Sequence, residues 1–149
     1  MILRPARPEE GERLREIAIE AKSHWGYDRQ AVESWAAQGD FTAAGLDAKW
    51  FLVAEAAGRA VGFASLIPRG AVCVLDDLWI EPGWFGKGVG TTLFETCVER
   101  AGELGARRLE WEAEPNAVGF YEKLGGRYLR DSDPTEFGRV IPVMGLELG

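Results

Sequence analysis

The stretch from Leu75 to Phe94 constrains the fold more than any other. An apolar, β-prone run from Val72 to Ile80 enters it, and Pro82 and Gly83 stop that run. The segment Gly86-Lys87-Gly88-Val89-Gly90 then turns the chain. Beyond it Val89, Leu93, Cys97, Ala101 and Leu104 recur at near-helical spacing, and Gly105 closes the helix. The order is strand, glycine turn, helix start. The first N–H groups of a helix lack intrahelical partners, and the helix dipole favours negative charge there. Such a turn is an anion site in waiting, with Lys87 as a nearby cation. The plainer alternative is a tight turn that merely needs positive φ.

The rest of the chain reads as alternating short elements. Ile2 to Pro5 is a first strand, and Pro8 to about Lys22 a helix carrying Leu14, Ile17, Ala18 and Ala21 on one face. Asp28 caps a second helix, Arg29 to Gln38; Phe41 to Lys49 has no clear assignment. Trp50–Glu55 and Ala60–Ile67 form a hairpin across Ala57-Gly58-Arg59, and a turn at Pro68-Arg69-Gly70 leads into the Val72 strand. Arg107–Glu112 is a strand, Ala117–Leu124 a short helix and Arg127–Leu129 a brief extended piece. Val140–Leu148 is a last strand in which Pro142 favours an edge or a bulge. This order predicts an α+β fold with a mixed, mostly antiparallel central sheet flanked by helices, in one domain over 1–149.

Net charge is −7, which argues against nucleic acid or an anionic membrane as partner. The two cysteines, Cys73 and Cys97, fit neither a metal pattern nor a disulfide framework, and both fall in apolar runs. The first residues lack a secretory h-region, and no apolar run reaches the ~18 residues of a membrane span. These features predict a cytoplasmic protein.

Known phosphate fingerprints fail on the glycine turn. The dinucleotide pattern needs glycine where Thr91 stands, and the P-loop needs Ser or Thr where Gly88 stands. Instead, Leu78-Trp79-Ile80-Glu81-Pro82, followed by Gly86-Lys87-Gly88-Val89-Gly90 and Leu93, resembles the acetyl-CoA motif of the GCN5-related N-acetyltransferase (GNAT) family. Gly88 and Gly90 match its Gln/Arg-x-x-Gly-x-Gly/Ala pattern, while Phe85 takes the Gln/Arg position. Asn116 to Gly125, with Phe120, Tyr121 and Lys123, resembles the family's second signature, with Gly119 at its usual alanine.

The resemblance implies acetyl transfer from acetyl-CoA, a co-substrate, to the amine of a small molecule or peptide by direct attack, without a metal. It implies a pyrophosphate on the backbone of Phe85, Gly86, Lys87, Gly88, Val89, Gly90 and Thr91. It implies a thioester beside Leu78 and Ile80, with the Ile80 N–H polarising the carbonyl. Tyr121 matches the family's general acid for the leaving thiolate; otherwise it is a core aromatic. Asn116 matches a pantetheine contact, or caps the helix it opens, or both. Asp76 and Asp77 match a frequent acid pair and are the candidates to relay a proton from the amine, or else a salt-bridged structural pair. Strand alternation puts Val74, Asp76, Leu78 and Ile80 on one face and Asp77 and Trp79 on the other, unless a bulge intervenes. Acceptor contacts are expected from His24, Trp25 and Tyr27, with packing or capping as the alternative for His24. Trp84 is expected near the coenzyme or at a dimer contact, since relatives are often homodimers. A non-catalytic acyl-CoA-binding module is the other function such a chain could serve.

Overall fold

The computed structural model describes residues 1–149. Strands β1 (Ile2–Pro5), β2 (Trp50–Ala56), β3 (Arg59–Arg69), β4 (Val72–Ile80), β5 (Arg108–Glu112), β6 (Arg127–Asp131) and β7 (Pro142–Glu147) form one sheet. Its order is β1-β2-β3-β4-β5-β7-β6. Every neighbouring pair is antiparallel except β4 with β5. The helices are α1 (Gly11–Ser23), α2 (Arg29–Ala36), α3 (Ala43–Ala48), α4 (Val89–Glu103) and α5 (Val118–Lys123). The α+β class read from the element order is the one observed. No helix is long and apolar enough to cross a membrane.

Each face of the sheet buries its own helices. Leu93, Phe94, Cys97 and Ala101 of α4 pack on Leu66, Cys73, Leu75, Leu109 and Trp111. On the opposite face Leu14, Ile17 and Ala18 of α1 and Leu46 of α3 pack on Phe51, Val53, Ala60 and Phe63. The unassigned segment holds α3, which Thr42 starts by accepting the Gly45 N–H at 3.1 Å. Asp28 caps α2 by accepting the Ala31 N–H at 3.0 Å.

Four expectations need correction. Strand β3 continues to Arg69, because Pro68 and Arg69 still pair with Cys73 and Val72, so the turn lies at Gly70-Ala71. The brief piece after α5 is a true edge strand, β6. It covers β7, so Pro142 lies in an interior strand; it is tolerated as the first residue of that strand. The fourth concerns β4. Ser65 pairs with Asp77 and Leu66 with Leu75, so Asp76 is the extra residue of a β-bulge. The bulge shifts the alternation by one residue before Asp77: Leu75, rather than Val74, shares the α4 face with Leu78 and Ile80, while Trp79 packs toward α1 on the opposite face, as expected.

Candidate active site

Strands β4 and β5 part. They pair only from Val72–Arg108 to Val74–Glu110, and β4 then runs on to Ile80 along β3 alone. The Glu81 N–H donates to Val61 at 2.9 Å, so strand alternation turns the Ile80 and Leu78 amides away from β3 and into the gap. A cleft of about 960 Å³ follows this gap.

At one end of the cleft lies the glycine turn. Gly86 and Gly88 have φ of +73° and +84°, a conformation costly for residues with a Cβ, and a Cβ at either would meet nothing within 4 Å. Gly88 stands at the N-cap of α4, and no side chain caps that end. The first intrahelical bond runs from the Thr92 N–H to the Gly88 carbonyl, leaving the amides of Val89, Gly90 and Thr91 unpaired. Open space, unpaired donors and the dipole of a 15-residue helix fit a pyrophosphate. The Lys87 ammonium rests 5.1 Å from the Trp84 ring centre rather than in the cleft. Trp84 itself is half-buried on the α4-side core.

Tyr121 of α5 lines the middle of the cleft, its ring wedged among Phe94, Trp111 and Phe120 at 5.8, 4.9 and 5.1 Å. Its hydroxyl has no hydrogen-bond partner in the protein. Burial raises its pKa well above the ordinary tyrosine value, so the group is a phenol, not a phenolate, at neutral pH.

Asp76 and Asp77 share one cation, Lys49, whose ammonium bonds Oδ2 of Asp76 and, at 2.9 Å, Oδ2 of Asp77. The Ser65 hydroxyl also donates to Oδ2 of Asp77, at 2.5 Å. Both Oδ1 atoms keep no protein partner. Burial lowers and the two carboxylates raise the Lys49 pKa, and the net direction is upward, so Lys49 stays charged.

The far wall is a network that neither motif announced. Lys22, wholly buried on α1, is held by Glu114 and Glu136. Glu114 also accepts from the Tyr27 hydroxyl at 2.6 Å and from the Asn116 amide at 2.7 Å. Arg139 joins Glu136 at 2.9 Å and Tyr27 at 2.8 Å. Burial pushes the Glu114 carboxyl up, but hydrogen bonds from Lys22 and Tyr27 and the Lys22 charge outweigh it, leaving the group below the usual carboxylate range. One signal of this network was legible: Lys22 sits four residues after Ala18 and eight after Leu14, on the buried stripe of α1, where an unpaired ammonium could not stay.

Asn116 is thus not the helix cap: Ala117 holds that position, and the Asn116 amide is turned to Glu114. Of the three acceptor candidates, Trp25 lines the cleft. The Tyr27 hydroxyl is spent in the network. His24 ends α1, its ring edge-on to Trp25 and Phe85 at 5.0 and 4.9 Å. Phe85, at the position of the expected Gln or Arg, stacks on Trp25 at 6.0 Å and ties the glycine turn to the α1–α2 loop.

A mixed sheet whose parallel pair splays over a glycine turn is the architecture of an acyl-CoA-dependent acetyltransferase. The chain belongs to the acetyltransferase (GNAT) family, whose model matches residues 12–126. A GNAT structure from Rhodopseudomonas palustris superposes with a TM-score of 0.84 at 30% identity, covering 99% of this chain and 95% of that one. The PaiA N-acetyltransferase of Thermoplasma acidophilum, solved with coenzyme A, has a TM-score of 0.80 at 23% identity, over 98% of each chain. Among curated proteins, an uncharacterized N-acetyltransferase of Methanocaldococcus jannaschii is 33% identical over 89 residues, 53% of this chain and 39% of that protein. The peptidyl-lysine N-acetyltransferase YjaB of Escherichia coli is 35% identical over 72 residues, 48% of each chain. The chain thus spans less than half the length of the curated relatives it matches.

Proposed function

We propose that the protein transfers the acetyl group of acetyl-CoA to a primary amine by direct attack. The observation that carries this reading is one cleft that joins the unpaired amides of α4, the outward amides of the parted strand and a protonated, unpartnered phenol. The amides of Val89, Gly90 and Thr91 hold the pyrophosphate, with Phe85 and Gly86 shaping the turn. The Ile80 N–H meets the charge that develops on the acetyl oxygen, a contribution of about 3–4 kcal/mol for one preorganised donor. The free Oδ1 of Asp76 or Asp77 takes the ammonium proton, directly or through water, and Lys49 keeps the remaining charge balanced. As the amine nitrogen bonds to the acetyl carbon and the C–S bond breaks, Tyr121 gives its proton to the thiolate. A phenol is a weaker acid than a thiol of pKa near ~8.5, and burial of Tyr121 widens that gap, so the transfer runs uphill and is drawn forward by expulsion of the thiolate. The nitrogen, still carrying one proton too many after attack, then returns that proton through water to Tyr121 as the amide forms, and the aspartic acid releases its proton to solvent.

The relative named for peptidyl-lysine acetylation supports a nitrogen acceptor. Cys73 and Cys97 are free and buried, which supports a reducing compartment such as the cytoplasm. The test is thiol release from acetyl-CoA across a panel of amines, alongside calorimetric coenzyme binding. Amine-dependent release establishes the reaction. Tight coenzyme binding without turnover on any amine would replace it with a non-catalytic acyl-CoA-binding module, and failure to bind coenzyme would refute both.

A further inference from the structure

Seven carboxylates line the cleft, and a proton acceptor needs one oxygen held still and the other free. Glu110 has both oxygens bonded, to Arg108 and Arg130. Glu114 also has both bonded, to Lys22, Tyr27 and Asn116. Asp40, Asp76 and Glu112 are exposed, and solvent competes for their oxygens. Glu136 keeps one oxygen free, but it is half of the counter-charge on the wholly buried Lys22. A proton on it would leave that ammonium short of a partner. Asp77 is left.

Two neighbours hold Asp77 in place. Ser65 stands directly opposite it on β3, and the bulge sets that register: without the extra residue, Ser65 would face Asp76 instead. Ser65 is 0% exposed, and its hydroxyl makes one hydrogen bond in the protein, to Oδ2 of Asp77 at 2.5 Å. The Lys49 ammonium bonds the same oxygen at 2.9 Å. Both donors meet on Oδ2, so Oδ1 is the oxygen left for a proton. Asp76 has Lys49 alone, and its side chain is 43% exposed against 16% for Asp77.

Building on the acetyltransferase reading, we infer that Asp77, not Asp76, accepts the proton of the amine, and that Ser65 is its positioning residue. Three residues of strand, about 10 Å, separate Asp77 from the Ile80 amide, so the proton travels through water. The water takes the N–H proton as it passes its own to Oδ1 of Asp77. Asp76 is the second counter-charge of Lys49 and keeps that ammonium against Oδ2 of Asp77.

The test is kcat and KM at saturating acetyl-CoA, with the most active of butylamine, spermidine and a lysine-containing peptide as acceptor. Asp77→Ala should lose ~10²-fold or more in kcat, and added formate, a small diffusible carboxylate, should restore ~10-fold of it. Asp77→Asn, of the same shape, should show the same loss and covers a failure of the alanine variant to fold. Asp76→Ala should stay within ~10-fold of wild type and gain nothing from formate. Ser65→Ala should lower kcat ~10-fold while amine KM and acetyl-CoA Kd stay within ~3-fold. In an Asp77→Ala background it should lower kcat no further, because it acts only through that carboxylate; a merely structural serine would add its loss. Formate rescue of Asp76→Ala instead of Asp77→Ala overturns the inference and leaves acetyl transfer standing. So do Ser65→Ala and Asp77→Ala losses that multiply. Absence of transfer to every amine by the wild-type protein overturns the acetyltransferase reading and this inference with it.

Discussion

Replacing Tyr121 with phenylalanine separates chemistry from packing. The ring is fixed by Phe94, Trp111 and Phe120, and the hydroxyl has no partner in the protein. Removing it leaves no buried group unsatisfied, so stability should change by no more than ~0.5 kcal/mol, or ~1–2 °C in Tm for a chain of this size. Loss of a positioned general acid lowers kcat ~10²–10⁴-fold, equivalent to about 2.7–5.4 kcal/mol of barrier. Stopped thiol-release kinetics, thermal melts and calorimetric coenzyme titration on the same preparations measure all three effects. Coenzyme Kd should stay within ~3-fold. The pH dependence follows from the direction of the pKa shift. Burial raises the Tyr121 pKa, so wild-type kcat should show no loss through phenol ionisation up to pH ~10. Because the folded state holds this proton beyond the unfolded one, wild-type stability is unaffected below pH ~10 and falls as pH rises from there; the variant lacks that share of the fall. A variant kcat within ~3-fold of wild type would refute the acid role. An equal loss in kcat and coenzyme affinity would make Tyr121 a binding residue instead.

Other expectations are as specific. Lys22→Met takes the ammonium from the buried Glu114 and the half-buried Glu136, which costs ~3–5 kcal/mol. Arg139, 2.9 Å from Glu136 and 3.7 Å from Glu114, puts the value at the lower end. Urea denaturation measures it, and a loss under ~1 kcal/mol would contradict the network's energetics. Glu114 has a lowered pKa in the fold, so its stabilisation is present above pH ~4.3 and is lost as pH falls through the folded value. In Lys22→Met the same carboxyl loses its main counter-charge, so the gap between wild type and variant should narrow on acidification; a constant gap from pH 7 to ~4 would count against this. Gly88→Ala forces a Cβ into a φ of +84° and should cost ~1–2 kcal/mol of stability. Its acetyl-CoA Kd should rise several-fold by calorimetry, since the open side of the turn then carries a methyl; unchanged affinity would place the pyrophosphate elsewhere. Asp76→Asn and Asp77→Asn, taken singly, should separate the proton acceptor from its neighbour. One loses ~10² in kcat/KM, and equal retention in both would assign the role to water alone.

Local chemistry was legible wherever it was set by a few consecutive residues. The glycine turn, the helix it starts, the Asp28 cap and the strands Val72–Ile80 and Trp50–Ala56 needed only spacing and turn propensity, within a residue or so. So did the paired signatures that point to the family, because Gly88, Gly90, Asn116 and Tyr121 stand in fixed local patterns. Other features needed the assembled sheet. No run of residues announces the extra residue at Asp76, since a bulge is a mismatch between two strands, and it alone shifted the alternation of β4. Pro142 looks like an edge residue until β6 is seen to cover its strand. The counter-charges of the cleft came from far along the chain: Lys49 for Asp76 and Asp77, Lys22 for Glu114 and Glu136. A sequence shows each charge but not its partner, because Coulomb energy and desolvation depend on distance and burial. The glycine turn, and the signature in which Tyr121 stands, were therefore readable from the sequence alone. Which carboxylate oxygen the cleft keeps free for a proton was decided only when the tertiary structure brought those partners together.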